Sequence, residues 1–311
     1  MSSTVLAEWA SAVTVADLSE DVRHAAARHL LDGVGNAIAA QRLGYGRAGW
    51  TVADALGGPP EARPLTGARG LSAPAAAFAT GVMVHALDFD DTHAGALVHA
   101  TAVSLPAAFA VGQQVSASGA DVLTAAALGL ETACRLGEVS PHGFHARGVH
   151  ATAAVGPLTA ALVAGHLSKF DTETLVNALG IAGSSSSGLL EFLDTDADTK
   201  ALHPGSASMN GVLAARLAAA GATGPSSVLE GRRGIYAALT DRPTNFAALT
   251  EGLGSRWEAT RIGIKPDPSC QLMHVTLDAV SEALGDTDVH ASDIADIEVF
   301  VHPDSSPFVC G

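Results

Sequence analysis

Through the first 240 residues, Ala, Leu and Val return at three- and four-residue intervals, the spacing of one face of an α-helix. The stretches "SEDVRHAAARHLLDGVGNAIAAQ", "SAPAAAFATGVMVHALDF", "GADVLTAAALGLETACRLGEV", "HATAAVGPLTAALVAGHL" and "GSASMNGVLAARLAAAG" all read as amphipathic or fully buried helices. Ser19, behind Leu18 and ahead of Asp21 and Val22, marks a helix start, and segments such as "GGPPEARP" and "GATGPSS" punctuate the rest. No fixed-period repeat is visible, so the pattern predicts an all-helical domain over residues 1–250 rather than a solenoid. Beyond it the texture changes. "SRWEATRIGIKP" and "DIADIEVFVHP" are β-branched and roughly alternating, and they flank the helical stretch "SCQLMHVTLDAVSEAL". This predicts strands near 257–264 and 294–302 and a partial α+β domain over 251–311. Two strands alone make a marginal sheet, and the second would be an exposed edge rich in Val, Ile and Phe. That edge is expected to pair with another chain or to pack on the helical domain.

Composition narrows the function. The chain has 311 residues, 48% of them hydrophobic, enough for a large core. Its net charge of −15, from 17 Lys and Arg against 32 Asp and Glu, excludes nucleic acid as an expected partner. An acidic surface also repels anions at long range, so a site for an anion needs its few cations placed locally. The N-terminus has no basic region followed by an apolar one, which points to a cytoplasmic protein. The uncharged run from Ala94 to Ala120 is interrupted by His99, Pro106, Gln113 and Gln114 and reads as buried helix, not as a membrane span. Cys134, Cys270 and Cys310 are far apart, which fits a reducing compartment and gives no metal-finger spacing.

Against this background "HALDFDDTH", residues 85–93, is unusually polar. If the preceding helix continues through it, His85, Asp88 (or Phe89) and Thr92 share one face while Asp90 and Asp91 point elsewhere. Carboxylates at a helix C-terminus oppose the macrodipole, so local stability does not explain them. A solvated helix end is the plain reading. Two functional readings compete with it: a divalent-metal site of His85, Asp88, Asp91 and His93, which matches no stringent ligand motif, and metal-free acid–base chemistry joined by His99. Lysine is scarce. Only Lys169, Lys200 and Lys265 occur, and the last two sit at element boundaries beside His203 and Cys270, where a compact ammonium can approach a carboxylate. His150 lies at a helix start, whose dipole favours a neutral imidazole. His142 and His145 lie in a Gly-rich loop and carry no assignment, and "GSSSSG" at 183–188 reads as a polar loop, not a nucleophile elbow.

The segments "LLDGVGNAIAA", "HALDFDDTH…H", "GVHATAAVGPLTAA", "TKALHPGSASMNGVLAA" and "KPDPSC…H", in this order, resemble the MmgE/PrpD family across essentially the whole chain. The resemblance implies a large all-helical domain, a smaller α+β lid, a site in the cleft between them and a homodimer. It also implies action on di- and tricarboxylates without metal or organic cofactor, by proton movement at carbons next to carboxylates. Carried over position by position, it implicates Asp88, Thr92, His99, His150, Lys200 and Lys265, with Cys270 where some members have a histidine and His274 nearby. His150, His99, Lys200 and Asp88 are then the expected catalytic residues, and Thr92, Lys265, His203, Cys270 and His274 the expected substrate-binding ones. Family members run well past residue 311, so the resemblance implies an incomplete lid that a further chain could complete, and a weakly active or inactive short form. The activity expected is a lyase, dehydratase or decarboxylase. An epimerase on the same scaffold and a non-catalytic or partner-dependent subunit remain as alternatives.

Overall fold

Small residues decide how closely these helices approach. The computed structural model describes residues 1–195, 197–285, 287–303 and 305–309; Cys310, counted above, lies outside them. In chain order the helices begin with α1 (Ser2–Ala12), α2 (Glu20–Leu43), α3 (Arg47–Leu56), α4 (Ala73–His85), α5 (Ala100–Gln114) and α6 (Gly119–Glu138). Then come α7 (Gly143–Ala146), α8 (Ala151–Leu167), α9 (Thr172–Gly183) and α10 (Thr199–Ala219). The rest are α11 (Ile235–Leu239), α12 (Ala247–Thr250), α13 (Gln271–Leu284) and α14 (Ser306–Val309). The fold is mainly α, as the periodicity predicts. Ser19 caps α2 by accepting the Val22 N–H at 3.3 Å, and Gly44, at φ +84°, ends that helix in the left-handed region.

Every residue of α4 and of α8 is buried, so these helices are apolar all round and form the centre of the core. Helix α10 crosses both of them nearly backbone on backbone. A Cβ on Gly81 would stand 2.8 Å from Gly205 Cα, and one on Gly211 would stand 2.5 Å from the Pro157 carbonyl oxygen. Only glycine admits this approach, and it sets where the first turn of α10 lies over the ends of α4 and α8. No described helix is long and apolar enough to cross a membrane.

The C-terminal segment departs from the sequence pattern. The predicted helix forms as α13, but neither predicted strand does: Glu258–Arg261 is a 3-10 turn, and 294–302 is irregular, with Phe300 88% exposed. A β-branched run becomes a strand only against a partner. The pairing that 257–264 finds is a single antiparallel bridge from Gly263 to Thr92. Residues 294–300 are exposed and do not pack on the helices.

Candidate active site

Four helix ends meet beneath one cavity. Helix α4 ends at His85, α5 starts after His99, α8 starts after His150, and the first turn of α10 carries Lys200. The helical face predicted for His85, Asp88 and Thr92 does not form, because α4 stops at His85 and Asp88 turns into the left-handed region at φ +50°. A short polar residue tolerates that conformation, and the Asp88 N–H donates back to the His85 carbonyl at 3.0 Å. A loop, not a helix face, brings these residues together.

Charge holds the Asp88 loop in place. Lys200 Nζ lies 2.6 Å from Asp88 Oδ2, while Lys265 Nζ lies 3.0 Å from Oδ1 and 2.7 Å from the Asp88 carbonyl oxygen. Burial raises the Asp88 pKa, but the Lys200 and Lys265 charges outweigh it and bring it down to about 2. Lys265, with its side chain fully buried, arrives from a distant segment. That segment is tied down by Arg135 and Glu131, both fully buried on α6. Arg135 donates to the carbonyls of Glu251 (2.8 Å) and Arg256 (3.0 Å), Glu131 accepts the backbone N–H groups of Glu258 and Ala259, and Thr92 and Gly263 exchange two backbone bonds of 3.0 Å.

The imidazoles are held in defined orientations. His99 Nδ1–H donates to the Asp91 carbonyl at 3.0 Å, with Thr92 Oγ1 at 3.3 Å, and the His99 N–H donates to Thr152 Oγ1 on α8 at 3.1 Å. His150 and His203 meet Nδ1 to Nδ1 at 3.1 Å, one donating and one accepting. The pKa values of His99 and His150 are pushed well below the ordinary histidine value, chiefly by burial, and further by Lys265 and His85 at His99 and by His85 and His145 at His150. Both are therefore neutral imidazoles, as the helix-start argument predicts for His150, although burial and not the dipole is the main cause. Asp90 and Asp91 are fully buried: Asp90 binds His85 Nδ1 at 2.8 Å, and Asp91 binds His29 at 2.7 Å and the hydroxyl of Thr101. They brace the loop from behind.

The cavity, of about 260 Å³, is lined by Asp88, Thr92, His99, His150, Lys200 and Cys270 among the predicted residues. Of the other three, Lys265 lies under Asp88, His203 stands behind His150 and lines a neighbouring hollow, and His274 is buried on α13 outside the lining. Sequence reasoning missed the apolar wall of Leu97, Leu190, Phe192 and Leu193, and left the lining residue His145 unassigned. Apart from Leu97, which precedes α5, the wall comes from the "GSSSSG" loop and its continuation, fastened to His150 by its N–H to the Gly188 carbonyl at 2.8 Å. Gly188, at φ +100°, lets that loop lie flat, since a Cβ there would fall 2.3 Å from Ala153 Cβ.

Among the described residues, three clusters have the spacing to hold a metal ion. His85, His99 and His150 each offer a ring nitrogen within 4.8 Å of the others, as do the ligand atoms of Asp88, Asp90 and His99 and those of His93, Glu138 and Glu258. In the second cluster both Asp88 oxygens are already paired with lysine, and in the third Glu258 is paired with Arg256 and Arg261 at 3.0 Å each. A dication would compete with ammonium and guanidinium in both.

Residues 4–246 match the MmgE/PrpD N-terminal domain. The chain is 28% identical over 292 residues to a cis-aconitate decarboxylase of Aspergillus terreus, an alignment covering 90% of this chain and 59% of the relative. It is 26% identical over 279 residues to a cis-aconitate decarboxylase-like protein of Aspergillus oryzae, covering 84% and 57%. Against the cis-aconitate decarboxylase of Homo sapiens it is 33% identical over 172 residues, covering 52% and 34%. The chain thus spans less than two thirds of the length of the relatives it matches.

Proposed function

Because the chain belongs to the MmgE/PrpD family, we propose that its cavity takes a small di- or tricarboxylate and serves a lyase reaction, dehydration or decarboxylation, by proton transfer next to a carboxylate without a metal. The observation that carries this reading is the meeting of Lys200, the doubly paired Asp88 and two neutral imidazoles at one cavity in an otherwise acidic protein. Lys200 is a quarter exposed, so its ammonium can meet a substrate carboxylate while Asp88 and Lys265 hold its position. Thr92 Oγ1 offers a neutral hydrogen bond on the same wall. Breaking a bond at the carbon next to a carboxylate builds negative charge on that carboxylate, and a cation already in place stabilises it.

The neutral imidazoles of His99 and His150 handle the proton. In a dehydration one of them accepts the proton from carbon, and the imidazolium so formed gives a proton to the departing hydroxyl, which leaves as water. In a decarboxylation the bond to the departing CO2 breaks, the electron pair stays on the carbon frame, and an imidazole relays to that carbon a proton it draws from behind the cavity. The names of the similar proteins favour decarboxylation of an aconitate-type acid. His203 fixes the orientation of His150, Cys270 faces the substrate from the α13 side, and His274 reaches it only if α13 shifts. A cytoplasmic homodimer is the proposed assembly.

Turnover of citrate-, aconitate- and aspartate-type acids, followed by NMR of the products, tests the proposal. Loss of CO2 or water from the first two is expected. Inversion of an aspartate-type acid alone would replace the lyase with an epimerase, and no turnover with no ligand-induced thermal shift would overturn the reading.

A further inference from the structure

Decarboxylation consumes a proton, and none of the imidazoles lining the cavity, His99, His150 and His145, has a spare one. Breaking the bond to CO2 leaves an electron pair that must take up H⁺, yet His99 and His150 are neutral, and a neutral imidazole that gave up its only N–H would become an imidazolate. Among the described residues another imidazole packs against both His99 and His150 from behind. His85, on the last turn of α4, has no side-chain exposure and does not line the cavity. Its Nδ1 lies 2.9 and 2.8 Å from the two oxygens of Asp90, itself fully buried. Its Nε2 is buried with no hydrogen-bond partner. Its ring packs edge-on against His99 at a centroid distance of 4.6 Å and stacks on His150 at 5.8 Å.

A buried, unpartnered ring nitrogen between two functional imidazoles is costly unless it is used. We propose that His85 is a positioning residue: paired with Asp90, it holds behind the cavity the proton that decarboxylation consumes and delivers it through His99 or His150. The inference rests on the lyase reading of the cavity. The balance is simple. The C–CO2 bond breaks, His85 passes its proton to the imidazole facing the cavity as that imidazole gives one to the carbon, and the His85–Asp90 pair is refilled from solvent after product leaves.

The surroundings fit this role. The groups around His85 are Asp88 and Asp90 from the loop, His99 before α5, His150 before α8, and Lys200 and His203 on α10. Lys265, and Asp91 with its partner His29, lie behind them, and Asp32 on α2 is pushed up to about 6 by burial and by the charges of Asp91 and Asp90. Asp90 is the carboxylate in direct contact with His85, and it also lies 3.6 Å from His99 Nδ1, so it can pair with a proton on either ring.

The test is ¹⁵N NMR of histidine-labelled protein between pH 6 and 8, with the His85 signal assigned by its loss in His85→Gln. An imidazolium signal at His85 that becomes neutral in Asp90→Asn is expected, with the His99 and His150 signals protonating at higher pH once His85 is replaced. A neutral His85 throughout, or His99 and His150 signals unmoved by the substitution, overturns the proposal. If His85→Gln does not fold, Asp90→Asn carries the same comparison. In turnover of cis-aconitate, His85→Gln should lose about 10²-fold in kcat with KM unchanged. An unchanged kcat, or a rise in KM alone, also overturns the role. Wild-type protein with the expected spectrum but no turnover of any lyase substrate would instead count against the lyase reading.

Discussion

Replacing Lys200 with alanine should weaken ligand binding far more than it weakens the fold. The ammonium lies 2.6 Å from Asp88 Oδ2, and both side chains are about a quarter exposed, at 25% and 27%. Asp88 keeps Lys265 on its other oxygen at 3.0 Å, so the variant does not leave a bare buried carboxylate. A partly solvated pair of this kind contributes about 1 kcal/mol, or roughly 2 °C of melting temperature in a chain of this size. The ligand effect is larger. At a concentration of 100 Kd a bound tricarboxylate stabilises the wild type by about 2.7 kcal/mol, a shift of roughly 5 °C. Loss of this partly exposed cation from the cavity lining should weaken binding about 10- to 100-fold, leaving about 0.4–1.4 kcal/mol, a shift of roughly 1–3 °C at the same concentration. The assay is paired thermal melts with and without propane-1,2,3-tricarboxylate. An undiminished ligand shift in Lys200→Ala, or a melting point without ligand more than about 10 °C lower, would refute the reasoning.

Acid should unfold the protein early. His99, His150, His145 and His203 all have depressed pKa values, the last two at about 4, so below the ordinary value of 6.5 the unfolded chain binds protons that the folded chain does not. Stability therefore falls as pH drops through 6.5, by up to about 1.4 kcal/mol per pH unit for each histidine; urea midpoints that stay flat from pH 7 to 5 would contradict this. Asp91→Ala, which strands buried His29 and Thr101, should cost about 3–5 kcal/mol by denaturant titration, and a loss under 1 kcal/mol would show that the brace is idle. Gly205→Ala places a methyl 2.6 Å from the Phe78 carbonyl and should destabilise the α4–α10 crossing by 3 kcal/mol or more, roughly, while a neutral result would mean that the helices can part. Prolonged EDTA treatment should leave any activity intact; stoichiometric metal in the purified protein, with activity lost on chelation, would revive the His85–His99–His150 cluster as a metal centre.

Helices were legible in the sequence because their signal is local. The Ser19 cap, the apolar runs that became α4 and α8, and the polar nonapeptide after α4 are all visible in short windows. The chemistry of Asp88, Lys200 and Lys265 was legible as residue types, because lysine is so scarce, but their meeting was not: Lys265 is 177 positions from Asp88 and arrives through the Arg135–Glu131 anchor. The face assigned to His85, Asp88 and Thr92 failed because a helical spacing says nothing about where the helix stops. The strand pattern after 250 failed because alternation marks a chain able to pair, and pairing depends on a neighbour that the pattern does not contain. The apolar wall from Leu190 to Leu193 carries no chemical signature at all, and only the Gly188 conformation and the His150–Gly188 bond bring it to the site.

The central claim is that the cavity among Asp88, Thr92, His99, His150 and Lys200 receives a polycarboxylate. A crystal structure of the chain with propane-1,2,3-tricarboxylate, an unreactive tricarboxylate, tests it most directly. One carboxylate is expected within hydrogen-bonding distance of Lys200 Nζ and Thr92 Oγ1, with the carbon beside it facing the rings of His99 and His150. A ligand seated instead at the surface hollow of Arg232 and Arg233, with this cavity unchanged, would contradict it.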